Sequence, residues 1–208
     1  MAKFDATMRR EYEELFAGCR TADDHIGEVT KMVERIVSEQ IRYRAVAAMT
    51  DIPWWFIGLL HSLESSCSFT THLHNGDPLT ARTVHIPKGR PPIWDPPNDW
   101  ESSAVDSLKY QGFVDLKDWS LAAVLYRLEV YNGFGYRAHG IFSPYLWSYS
   151  QHYKKGKYVW DGKWDPNAVS RQCGAAVLLR HMVDAFVVRF PTPARVEGWR
   201  DAGASGGE

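Results

Sequence analysis

The segment Ile52–Asp77, IPWWFIGLLHSLESSCSFTTHLHNGD, constrains the fold more than any other part of the chain. From Trp54 to Leu63 almost every residue is apolar. A helix that is apolar on every side has no solvated face and must lie at the centre of its domain. Thr50 and Asp51 mark a break before it, and Pro53 suits its first turn. The apolar run ends on Glu64. A carboxylate at that point is partly desolvated, faces the negative end of the helix dipole and has Trp and Phe near it in sequence. Each influence raises its pKa. A general acid working near neutral pH needs that preparation.

The remaining chain reads as one mainly α domain over residues 1–190, with a flexible tail over 191–208. The spacing predicts an amphipathic helix at 5–17. It predicts one long helix at about 23–48, with Ile26, Val29, Met32, Val33, Ile36, Val37 and Ile41 inward. Asp99 is placed to cap a helix that runs to about Gln111 and stops at Gly112. Asp118 is placed to cap another, ending at YNGFGYR. Asp165-Pro166 opens a last predicted helix at about 166–189, with Val169, Cys173, Ala176, Val177, Val183, Phe186 and Val187 inward. Between these, Gly and Pro exclude helix from residues 65–98. Thr80 to Ile86 alternates and is rich in β-branched residues, which predicts a small β-hairpin. RPPIWDPPN, at 90–98, should be extended, and residues 140–165 read as a loop dense in Tyr and Trp. The total is six or seven helices and one hairpin.

A net charge of −1 lacks the basic surplus of a nucleic-acid binder. No run of about 18 apolar residues predicts a membrane span. The start, MAKFDATMRREYEELF, has no signal-peptide core. Synthesis in the cytoplasm is expected, so action outside the cell would need release or export by another route. Cys19, Cys67 and Cys173 do not make a disulfide framework, so buried free thiols are expected. There is no GxGxxG fingerprint, P-loop or nucleophile elbow, so no cofactor is implied. A monomer is expected.

Four constellations carry possible chemistry. Glu64 with Asp77 meets the need of a glycosidase for one protonated carboxyl and one charged carboxylate. The bland alternative is a helix-end Glu and an ordinary Asn-Gly-Asp turn. His61 and Glu64, three apart, with His72 or His74 from the loop, form a zinc-type pattern of a metal-dependent peptidase or amidase. HExxH is missing, and lone histidines are usually hydrogen-bonded rather than metallated. Tyr131, Asn132 and Gly133 end a helix, which is a plain helix stop when taken alone. Tyr145, Trp147, Tyr149, Tyr153, Tyr158, Trp160 and Trp164 suit a groove that stacks sugar faces, and equally suit a loop anchored to a core.

The stretch FIGLLHSLESSCSF, with Glu-Ser-Ser and then Phe after an apolar helix, resembles the catalytic helix end of the lysozyme superfamily. Goose-type lysozymes and soluble lytic transglycosylases are the most similar in kind. The later Tyr131-Asn132-Gly133 is similar to that family's second motif. The likeness spans residues 50–190 in layout but rests on these two short motifs. The Gly-Leu-Met-Gln segment of transglycosylases is missing. HLHNGDPLTARTV stands in its place, nearer in kind to phage lysozymes, which use Glu, a hairpin Asp and Thr. The resemblance implies a lysozyme-like fold and cleavage of a β-1,4-linked amino-sugar polymer, most simply peptidoglycan, by an endolysin-like enzyme. It implies Glu64 as general acid, Asp77 orienting water or stabilising charge, and Thr80 or Thr83 holding the water. Ser66, His74, Tyr131, Asn132, Tyr145, Trp147 and Tyr149 would line the glycan, with no metal. A non-catalytic glycan-binding domain on the same fold is the other reading.

Overall fold

A computed structural model describes residues 3–95, 99–160 and 162–190. The expected tail at 191–208 and residues 96–98 of the proline-rich segment lie outside the described residues. The architecture is mainly helical with one two-stranded antiparallel sheet. The helices are α1 (Ala6–Gly18), α2 (Ile26–Ser38), α3 (Gln40–Thr50), α4 (Trp54–Ser65), α5 (Trp100–Tyr110), α6 (Leu121–Asn132), α7 (Pro144–Trp147) and α8 (Ala175–Asp184). Short 3-10 turns precede α2 and follow α6. The sheet pairs β1 (Lys157–Trp160) with β2 (Lys163–Asp165). Among the described residues no helix is long and apolar enough to cross a membrane.

Helix α4 is the centre. Every residue from Phe56 to Leu63 is buried, and α2, α3 and α8 pack around it. Helix α1 lies on α6, and α7 bridges α6 and α8. The close approach of α2 and α3 to α4 depends on Gly58. A Cβ there would lie 2.6 Å from Ile36 Cγ2 and 3.2 Å from the Tyr43 ring. Gly174 has the same role at the start of α8, where a Cβ would fall 2.2 Å from the Leu146 carbonyl oxygen. The three cysteines are free and buried.

Capping follows the sequence where it is local. Asp5 accepts from the Met8 amide, and Asp99 from the Ser102 amide. Asp118 acts one step earlier than expected. It accepts from the Ser120 amide at 3.0 Å, and the helix begins at Leu121.

Three expectations need correction. The long helix at 23–48 is two helices broken at Glu39 (φ −93°, ψ 7°). Ser38 Oγ donates back to the Arg35 carbonyl, competing with the helix ladder at that turn. Ile26 and Ile41 are accordingly exposed rather than inward. The hairpin is not at Thr80–Ile86 but at 157–165, inside the stretch read as a loop. The amides of Val84 and His85 point to the Asp77 carboxylate instead of to a second strand. The last helix is shorter than 166–189. Asp165 Oδ1 caps the amides of Asn167 and Ala168, but the turn does not propagate. Helix begins again only after Gly174, whose amide donates to Ser148 O. Phe186, with φ +59°, lies just past the helix end. Val169 and Phe186 are exposed.

Replacing Gly58 with alanine should lower stability. Overpacking against a stiff, buried β-branched side chain costs about 1–3 kcal/mol, against a gain in helix propensity of at most about 1 kcal/mol. A lower urea midpoint with unchanged denaturant slope is the expected result.

Candidate functional site

The site is built where α4 must end. Ser66 (φ +50°) and Cys67 (φ +57°) both adopt the left-handed region directly after the helix. Two successive non-glycine residues in that region carry local strain. They turn the chain sharply, so that the Cys67 amide caps the His61 carbonyl at 3.1 Å. The turn at Asn75–Asp77 then folds back on the helix end. Gly76 (φ +78°) is required there, because a Cβ would lie 3.2 Å from the Glu64 carbonyl oxygen.

Glu64 is half-buried at this end. Burial pushes its carboxyl up from 4.5 to about 7, and a hydrogen bond from Tyr145, which favours the charged form, opposes the rise. Tyr145 Oη donates to Glu64 Oε1 at 2.8 Å. Among the described residues no other carboxylate contributes to the shift. Tyr145 comes from α7 and stacks on Tyr131 from α6, with centroids 6.4 Å apart and planes 15° from parallel. Tyr131 Oη in turn donates to the Leu73 carbonyl at 3.1 Å, tying α6 to the loop. Glu64, Tyr131 and Tyr145 therefore come together from three elements distant in sequence.

A cleft of about 470 Å³ opens beside this group. Its wall includes Asn132, Tyr145, Lys157, Tyr158, Trp160 and Gln172. Glu64 is not itself on the wall, but Tyr145 bonds to it, and the Gln172 side-chain amide donates to the Leu63 carbonyl. Asn132 Nδ2 donates to Ser143 Oγ at 3.1 Å.

The remaining expected residues divide. Asp77 is buried, 7 % exposed. Its Oδ2 accepts from the amides of Val84 (2.8 Å) and His85 (3.0 Å) and from Asn75 Nδ2 (3.1 Å). Its Oδ1 accepts from His85 Nδ1 at 2.6 Å. Burial alone would raise its pKa, but the hydrogen bonds from His85 and Val84 win and hold it at about 2. This corrects the expectation of a carboxylate free to orient water, because Asp77 is the staple of its own loop. Thr83 is likewise used up, donating to the Pro87 carbonyl and accepting from the Arg90 amide. Thr80 and Ser66 are exposed. Trp147, 1 % exposed, is a core ring with no face for a ligand. Tyr149 is buried, stacks on His25 and donates to the Arg171 carbonyl. Neither serves as a glycan platform.

The histidines expected of a metal site are committed to the protein. His61 Nε2 donates to the Ser68 carbonyl, leaving Nδ1 to accept from Tyr43 Oη, both at 3.0 Å. His72 Nε2 donates to the Ala81 carbonyl, and Nδ1 accepts from Ser103 Oγ. His74 Nε2 donates to Asp106 Oδ2 at 2.9 Å, away from any role on a sugar. Burial lowers both His61 and His74 to about 4. Among the described residues no three His, Cys, Asp or Glu side chains converge as a metal site.

Sequence reasoning did not single out Lys157 or Gln172. Gln172 carries no local signal. Lys157 opens the sequence KYVWDGKWD, where the Asp161-Gly162 pair between two aromatic-rich runs is a recognisable hairpin mark. Neither protein-family models, nor curated proteins, nor solved structures yield a match to this chain.

Two outcomes follow. Tyr145→Phe removes the one hydrogen bond that favours ionised Glu64, so the Glu64 carboxyl should titrate above its present value of about 7 in a carbon-13 NMR titration. Asp77→Asn should destabilise the 75–90 loop by about 1–3 kcal/mol. The Asp77 contribution is present above its ordinary 3.8 and is lost as pH falls through about 2. The stability gap between wild type and variant should therefore close at the acid end of a pH series.

Proposed function

We propose that the protein is a glycoside hydrolase acting on a β-1,4-linked amino-sugar polymer, with peptidoglycan the favoured substrate and Glu64 the general acid. One observation carries the reading. A carboxyl at the end of a buried helix, lifted to about 7 by burial, sits under a tyrosine pair beside an aromatic-walled cleft. A group that holds its proton near neutrality can give it to the oxygen of the leaving sugar. After that transfer Tyr145 Oη, already bonded to Oε1, steadies the new carboxylate. The same carboxylate then takes the proton of an incoming water as the new C–O bond forms, which balances the hydrolysis. Asp77 acts at one remove. It fixes the turn whose glycine packs on the Glu64 carbonyl. The likeness of FIGLLHSLESSCSF and Tyr131-Asn132-Gly133 to the lysozyme superfamily supports the same reading.

Glu64→Gln tests it. The variant should lose turbidity clearance of purified cell walls by at least about 100-fold, the scale of general acid catalysis. The wild-type rate should fall on the alkaline side of about pH 7, where Glu64 ionises. The folded chain holds this proton to about pH 7, while an unfolded Glu releases it near 4.5, so wild-type stability should drop as pH rises across that interval. The glutamine variant should lack that drop. Full activity in Glu64→Gln, or a wild type that binds walls and releases no reducing ends, overturns the proposal.

A further inference from the structure

The β1–β2 hairpin lies in the stretch expected to be a loop, and it forms one wall of the cleft beside Glu64. It is firmly held. Tyr158 packs edge-on to Tyr136 at 5.2 Å and to Trp164 at 5.1 Å, and His139 stacks on Trp164 at 3.8 Å. Gly156 (φ +99°) lets the hairpin seat closely, since a Cβ there would lie 2.5 Å from Ile141 Cδ1 and 2.9 Å from the Trp164 ring. A register shift between Tyr158 and Trp160 re-aims the strand end. Tyr158 and Trp160 both line the cleft, and Trp160 is 72 % exposed. An indole left this open on a pinned hairpin is available as a stacking surface.

The charge on this wall is one-sided. Among the described residues Lys157 is the single charged residue lining the cleft. Its register partner across the hairpin is Asp165, whose Oδ1 accepts from the amides of Asn167 and Ala168 and which forms no ion pair with Lys157. Among the described residues no carboxylate forms an ion pair with Lys157. An ammonium that no described carboxylate pairs with, in a cleft with no acidic side chain among its described lining residues, favours a ligand carrying a carboxylate.

We propose that the hairpin wall is an acidic-sugar subsite, in which Trp160 stacks on a pyranose face and Lys157 pairs with a carboxylate substituent of the same glycan. The site thereby favours a polymer bearing lactyl or peptide-stem carboxylates over a neutral one such as chitin. The inference rests on the glycosidase reading but concerns which polymer the site selects.

The test uses the full chain carrying Glu64→Gln, so that bound glycan is not consumed. Calorimetry and tryptophan fluorescence would follow titration with a muramic-acid tetrasaccharide and, separately, with chitotetraose. The acidic glycan should bind more tightly. Lys157→Met should weaken it about five-fold, the scale of one partly solvated ion pair, and leave chitotetraose unchanged. Lys157→Arg should restore the preference, while Trp160→Ala should weaken both glycans. Thermal melts of each variant separate misfolding from lost binding. Equal binding of the two glycans, with Lys157→Met silent or acting on both alike, overturns the Lys157 assignment and leaves the glycosidase reading standing. Failure of both glycans to bind overturns the two together.

Discussion

The structure depends on one helix being buried along almost its whole length and then having to stop. Helix α4 is covered by α2, α3 and α8, and Phe56 through Leu63 lie inside. Burying such a run is worth about 1.5–3 kcal/mol for each large apolar side chain, which fixes α4 as the axis around which the other helices assemble. Several polar groups at its end are met by protein partners rather than by water alone. The His61 carbonyl is capped by the amides of Ser66 and Cys67, the Leu63 carbonyl by Gln172, and the Glu64 carboxyl by Tyr145. The raised pKa of Glu64 follows from the same constraint. Among the described residues no cation offsets the burial, so the carboxyl keeps its proton.

The loop that follows solves a different problem. Residues 66–95 contain little regular structure, so their polar groups must satisfy one another. Asp77 gathers two amides, an Asn and a His, while Thr83 bridges Pro87 and Arg90. Asp106 receives His74 and Arg90 from the loop and so docks it on α5. A loop rich in His, Asp and Thr resembles a catalytic inventory in sequence, yet most of those side chains are fasteners. Buried polar groups without partners cost more than hydrogen bonds gain, so a long loop spends its polar residues on itself first.

That difference explains what was legible. Glu64 could be read because its environment is local: an apolar helix before it, a helix end at it. The cap at Asp99 was legible for the same reason. Tyr131 could be read as a helix end, but its stacking on Tyr145 joins residues from two helices and no spacing rule reports it. The seven aromatic residues of 145–164 looked alike in sequence. Trp147 fills the core and Trp160 faces the cleft, a division set by where α7 and the hairpin dock rather than by residue type. The alternating 80–86 run failed as a strand because the Asp77 carboxylate competed for its amides.

The commitment of Asp77 to its own loop narrows the chemistry proposed for Glu64. Two free carboxylates facing each other would split their pKa values through mutual repulsion, and the Glu64 shift contains no such contribution. Burial sets the proton affinity, and Tyr145 holds it within reach of neutral pH by favouring the ionised form. In the proposed reaction the two influences act together: burial keeps the proton on Glu64 for transfer to the leaving oxygen, and the Tyr145 hydroxyl favours the carboxylate that then takes a proton from water.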